Sequence, residues 1–370
     1  MVIAKWFVLL LAASISLPAK AQSVAGFSAP KFVLSDAKHK QEKSGVHLGP
    51  GNLITIESGR GTPTSINILA FSKNGNFLAA GKDFGRVVVW DLRNRKFVCA
   101  LDTGAGIVTA VALSTDGQWL VTAGQNDGFR AKLWHLPDAK LVRTYDYFQA
   151  YLHTLAFGPD GSWIIAWSND SKVHVLDATR DKQLLELDGV FSPLLSSDGR
   201  TLMTVGRTEF TVWTTSDWSK QRSLPRPADF PVPLALNSRA DTFVVASSGE
   251  FRLMRLSTGA LLPNSPKPEL PKFNPSAGGF AAFREGTPLL FGHSDDRLWV
   301  WNSETGQTCV SEMMYSESGT LSADGSLLAG AKDNSILAQS QSSTGVWVWD
   351  TDELVLKCLG AAEKFSVPAR

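Results

Sequence analysis

The chain has 370 residues, of which 44% are hydrophobic and 19% charged, with a formal net charge of +1. That composition is globular, and the length exceeds what one ordinary core supports unless repeated units stack on one another. Near-neutral charge excludes the basic footprint of a nucleic-acid binder or of a protein that docks on anionic membranes.

At the N-terminus, Lys5 precedes an apolar run from Trp6 to Leu17, and Ala19, Lys20 and Ala21 come next. A basic start, a short apolar stretch and an Ala-x-Ala ending form the pattern of a secretory signal peptide. The run is shorter than the roughly 20 residues of a spanning helix. Residues 1–21 are therefore expected to be cleaved after Ala21, with no membrane insertion afterwards and a periplasmic or secreted destination. Loss of Lys5 and Lys20 keeps the mature chain near neutral. Residues 22–50 show no periodicity and read as a poorly ordered lead-in.

From there the chain repeats. Apolar strands end at Phe71, Leu113, Phe157, Leu195, Leu236, Phe283 and Leu321, roughly 40 residues apart. Most run into an Asn-Gly or Asp-Gly pair, as at Asn74-Gly75, Asp116-Gly117, Asp160-Gly161, Asp198-Gly199 and Asp324-Gly325. Such pairs are expected to take the positive φ of a tight hairpin. Second strands come at once, among them Phe77–Ala80, Trp119–Thr122 and Trp163–Ala166, apolar on both faces, as for strands sandwiched between neighbouring sheets. Third strands end at Trp90-Asp91, Trp134-His135, Leu176-Asp177, Trp213-Thr214, Met254-Arg255, Trp301-Asn302 and Trp349-Asp350.

Two landmarks, the hairpin turn and the third-strand ending, recur in phase seven times, and with the Trp-Asp form of that ending at Trp90-Asp91 and Trp349-Asp350 they resemble WD40 repeats. The resemblance covers roughly residues 60 to 360 and implies an all-β, seven-bladed β-propeller of four-stranded antiparallel blades. The propeller is assigned to residues 51–361 and a C-terminal tail to 362–370. The pattern departs from the family in one respect. The Gly-His pair before each first strand is missing, while acids between second and third strands survive as Asp83, Asp127, Asp170, Asp295 and Asp333. The family's complete hydrogen-bonded tetrad is therefore not expected, and blade rigidity must rest mainly on apolar packing. This degeneracy resembles exported bacterial propellers.

Ring closure has two candidates, Asn52–Ile56 and Leu354–Leu359, each readable as the outer strand that completes blade seven; the C-terminal one is favoured. Cys99, Cys309 and Cys358 all fall eight or nine residues after a third-strand tryptophan, which places them on outer strands that diverge at the rim. Three free thiols are expected, because bridged Cα atoms lie within about 7 Å. Prolines gather in Leu224–Pro233 and Pro263–Pro271, read as rim strands whose prolines block strand addition. Residues 338–345 read as a polar loop.

No catalytic motif, metal spacing or cofactor motif is present, and His174 reads as the polar side of a strand. What stands out is one face of the ring, made by the loops between blades and those between second and third strands. Arg60, Phe84, Phe129, Phe148, Tyr151, Phe191, Phe230 and Tyr315 fall there. Aromatics and arginine anchor interfaces; the alternative is that several turn inward and plug the channel mouth. The expected function is that of a scaffold, monomeric by itself, that binds another protein or a peptide without catalysis. An enzyme or small-ligand binder using the central channel, or a subunit of an assembly, are the competing readings.

Overall fold

A computed structural model describes residues 32–34, 65–228, 232–239, 241–247, 250–262, 268, 270, 280–294, 297–310, 318–332 and 345–359. They form seven antiparallel sheets. Six have four strands; the fifth has three, and its fourth position is marked by the bridge between Met254 and Leu261. The first strands are Ile66–Phe71, Val108–Leu113, Leu152–Phe157, Phe191–Leu195, Val232–Asn237, Phe280–Phe283 and Gly319–Leu321. Each packs on the next, and the seventh packs on the first. The sheets are therefore blades of a closed ring, the expected seven-bladed propeller.

The core explains why the ring must close. Buried apolar residues fall into seven clusters, one per blade interface. In the second strand of blade one, Leu78 and Ala80 pack toward blade seven, while Ala79 packs toward blade two. A strand alternates its side chains between two faces, so one blade buries both faces only between two neighbours. Trp90, Trp299, Trp301 and Trp349 are fully buried in these seams.

The first hairpin is built differently from the simple two-residue turn. Only its glycine takes positive φ, as at Gly75 (71°), Gly117 (70°), Gly199 (73°) and Gly325 (69°). The acid acts through its side chain. Ser114 Oγ donates to Asp116 Oδ1 (2.6 Å) and accepts from Trp119 N (2.9 Å), and Asp116 Oδ1 accepts from Gln118 N (3.0 Å). The same lock recurs at Ser72–Asn74, Ser196–Asp198 and Ser322–Asp324. From one of these turns Lys73 Nζ reaches Asp198 O at 2.6 Å, which links blade one to blade four across the axis.

The Asp or Asn that ends a third strand caps the next turn of chain. Asp91 Oδ1 accepts from Asn94 N (2.9 Å), and Asn302 Oδ1 from Glu304 N (3.0 Å). In blade seven, Asp350 Oδ1 accepts from Asp352 N (3.0 Å) and Glu353 N (3.3 Å), and the capped segment is a helix, Thr351–Leu359.

Several expectations are corrected. Leu354–Leu359 lies in that helix and supplies no strand to blade seven; Asn52–Ile56 lies outside the described residues. The ring closes instead with Phe32–Leu34, from the supposedly unordered lead-in, which pairs antiparallel with blade seven through Phe32–Val348, Val33–Trp347 and Leu34–Val346. Cys99 is free, but Cys309 is disulfide-bonded. The expectation of three thiols assumed that residue 358 sits on a diverging rim strand, whereas it sits on a helix packed against the strand of Cys309. The side chain at 358 lies outside the described residues. Pro233 belongs to an innermost strand, not the rim; it is tolerated beside the register shift between Pro233 and Ala235. Residues 338–345 and most of Pro263–Pro271 lie outside the described residues.

Among the described residues, fragments of such a hydrogen-bond network remain. Trp134 Nε1 donates to Thr122 Oγ1 (2.9 Å) and Trp213 Nε1 to Thr204 Oγ1 (3.1 Å). Trp301 Nε1 is buried without a partner, because Gly292 occupies the corresponding place on the second strand. Gly292 is obligatory: a Cβ there would lie 2.2 Å from the Trp299 ring.

Candidate functional site

The upper face is where third strands begin and each blade hands over to the next. In blade one the turn Asp83–Arg86 has positive φ at both central residues, Phe84 (57°) and Gly85 (68°). That is the geometry of a type I′ turn, which favours Asn-Gly; a bulky side chain in this region costs roughly 1–2 kcal/mol. The cost is met by anchoring. Asp83 accepts from Ser65 N and from Asn67 Nδ2, each at 3.0 Å. Gly85 O accepts from Thr103 N (2.9 Å) and Thr103 Oγ1 (2.8 Å), and Gly85 N donates to Gly106 O (3.2 Å). A Cβ on Gly85 would lie 2.3 Å from Ala105 O. Phe84 is thus held rigidly, yet its side chain is 68% exposed.

The neighbouring loops continue the surface. Ile107, 37% exposed, comes after Gly106, whose N donates to Gln125 O (2.8 Å), while Gln125 N donates to Ile107 O (2.8 Å). Phe129, again at positive φ (57°), meets Tyr151 edge-on with ring centroids 4.8 Å apart. Tyr151 is 37% exposed, and its carbonyl accepts from Asn169 N. Below this surface the mostly buried Lys132 Nζ binds Asp127 Oδ1 (2.8 Å) and Thr103 O (2.6 Å), joining the handover loop to the blade-two turn. Four loops of blades one to three thus present Phe84, Ile107, Phe129 and Tyr151.

The other aromatics serve different ends. Phe148 is only 6% exposed and stands edge-on to His174, ring centroids 4.9 Å apart. It belongs to the seam between blades two and three and leaves a partner nothing to touch. His174 is buried as well, with Nε2 3.1 Å from Asp170 Oδ2 and Nδ1 3.0 Å from Gln183 Oε1, not on a solvated strand face. Burial pushes the Asp170 carboxyl up, but hydrogen bonds from Ser168 and His174, with the His174 charge, together hold it below the ordinary range. Phe191 is half-buried beneath the Arg226 guanidinium, 4.9 Å from its ring centroid. Arg60, Phe230 and Tyr315 lie outside the described residues.

One feature of this face escapes sequence reasoning. Five first strands slip register near their upper ends, at Ile66/Ile68, Val108/Ala110, Leu152/Thr154, Phe191/Leu194 and Pro233/Ala235. Bulges re-aim side chains. Thr109, at the second slip, donates to Leu152 O (2.6 Å) of the next blade. Thr154, beside the third, bonds Ser192 of blade four (2.8 Å), and His153 lies 5.8 Å from the Trp167 ring. The signal in the sequence is a polar residue second in the strand, at Asn67, Thr109, His153 and Ser192.

Chemically, the displayed surface offers aromatic and aliphatic area on a rigid base, flanked by exposed Arg86 and Arg130. Among the described residues, no three His, Cys, Asp or Glu cluster as metal ligands would.

Residues 96–135 match the family model described as WD domain, G-beta repeat. The matched stretch runs from the outer strand of blade one through the third strand of blade two. No curated protein matches the chain. The chain is thus a seven-bladed β-propeller that carries a WD40 repeat at residues 96–135, with the Trp-Asp ending of such repeats in blades one and seven.

Proposed function

We propose that this protein is an exported propeller that holds a protein or peptide partner on the upper face of blades one to three, without catalysis of its own. WD40 propellers commonly serve as interaction scaffolds, and that general role fits a closed ring that displays apolar loops on one face. The observation that carries the reading is Phe84, a large apolar side chain kept in an unfavourable backbone conformation and left in solvent. Strain that the surroundings enforce clusters at functional positions. Ile107, Phe129 and Tyr151 extend the same surface, and aromatic anchors on a preorganised base are the usual hot spots of binding. The leader-like residues 1–21 support a periplasmic or secreted location, and the bonded Cys309 fits an oxidising compartment.

The test is capture of partners from the native envelope fraction by the wild-type chain and by Phe84→Ala and Tyr151→Ala, with folding verified by circular dichroism. Loss of the same captured protein in both variants supports the reading. Undiminished capture overturns it.

A further inference from the structure

The helix Thr351–Leu359 has no counterpart in the other blades among the described residues. It leaves blade seven where a turn to the fourth strand stands elsewhere. The outer strand of that blade is short: Phe32–Leu34 pairs through three residues, whereas the outer strand of blade one runs over Lys96–Asp102.

The helix is tied to blade six by several independent means. Leu354, Val355 and Leu359 are buried with Leu289, Phe291, Leu298 and Val300 of blade six and Trp349 of blade seven. Asp352 pairs with Arg284 of the first hairpin of blade six. Thr351 N donates to Ser326 O (3.0 Å), which fixes the helix start to blade seven itself.

A third tie to blade six comes from register. Arg143, paired opposite Leu133, reaches Ala178 O (2.9 Å) and Thr179 O (2.8 Å), just past the third strand of blade three. Arg222, paired opposite Val212, reaches Ser257 O (2.7 Å) past the third strand of blade five. In blades two and four this outer-strand position clamps the blade to the segment after the next blade's third strand. In blade six the same position, opposite Val300, is Cys309, and the segment it faces is the helix. Cys309 is disulfide-bonded.

We propose that the helix is a clasp fixing blade seven against blade six, with the disulfide at Cys309 as its covalent element, so that the firmness of ring closure depends on oxidation state. Opening the bond takes two electrons and two protons from a dithiol, which becomes a disulfide, and yields two thiols on this chain.

The experiment uses the folded full-length protein, oxidised and after dithiothreitol, monitored by hydrogen exchange with peptide resolution. Reduction is expected to speed exchange about 10-fold or more in Leu327–Lys332 and Gly345–Asp350, while Ala131–His135 and Lys172–Asp177 stay unchanged. Cys309→Ser is expected to match the reduced protein. Arg284→Met, which keeps the disulfide, is expected to give a smaller acceleration in the same segments. Exchange in Gly345–Asp350 that ignores reduction, or acceleration shared equally by all blades, overturns the proposal. So does non-reducing peptide mapping that finds Cys309 free or joined to a second chain.

Discussion

Phe129 stands edge-on to Tyr151 with an interplanar angle of 77°, although one comes from the turn inside blade two and the other from the handover into blade three. The contact crosses a blade boundary at the surface, so the aromatic patch is a property of the ring and of no single repeat. Removing either ring should loosen the other. Phe129→Ala is expected to weaken partner capture about as much as Tyr151→Ala, with the double variant scarcely worse than either single one. A double-mutant cycle on the captured partner measures this coupling.

Phe84 sets stability against function. Asn tolerates the left-handed region and suits the first central position of this turn. Phe84→Asn is expected to raise stability by about 1 kcal/mol and to lose capture at the same time. Urea denaturation and capture, done on one preparation, check both halves.

Gly85 and Phe84 are adjacent, yet their substitutions should differ in sign. Gly85→Ala drives a Cβ toward Ala105 O in a backbone region that disfavours alanine. The expected cost is about 1–3 kcal/mol, read as a lower urea midpoint.

Thr122 gives the Trp134 N–H its partner. Thr122→Val keeps the shape and leaves that buried donor unmatched, at an expected cost of about 1–3 kcal/mol in chemical denaturation. Trp301 already lives with an unmatched N–H, so substitutions around it should show no comparable hydrogen-bond loss.

Acid should weaken the ring through its hairpins. Burial raises the Asp198 and Asp324 carboxyls, but hydrogen bonds from Ser196 and Arg200, and from Ser322 and Ser326, bring both below the ordinary value of 3.8. Asp170 behaves alike. Groups whose pKa falls on folding contribute stability that is complete above the unfolded value and lost as pH drops through the folded one. These groups should leave stability flat from pH 7 to about 5 and lower it below about 4, the decline shrinking in Asp198→Asn. Urea midpoints across that range measure it.

The legible part of the sequence reflects the physics of repetition. The Ser–Asp–Gly hairpins and Trp-Asp endings recur because each blade solves one packing problem, and repetition reveals them. Phe32–Leu34 is three residues long and belongs to no repeat, so nothing marked it as the closing strand. The run Leu354–Leu359 is apolar enough for a strand, but Asp350 caps it as a helix, with Asp352 and Glu353 in the first turn favouring the helix start. On the upper face, loops carry no period to say which way a side chain points. Phe84 and Phe148 therefore look alike in sequence, and only the packing of Phe148 on His174 separates the displayed ring from the buried one.

The claim that partners dock on the upper face of blades one to three is tested most directly by site-specific photo-crosslinking. A benzoylphenylalanine placed at position 84 or 151 should yield one shared covalent adduct, and the same probe at Phe97 or Leu141 on the rim should yield none. Adducts formed only from the rim positions would contradict the account.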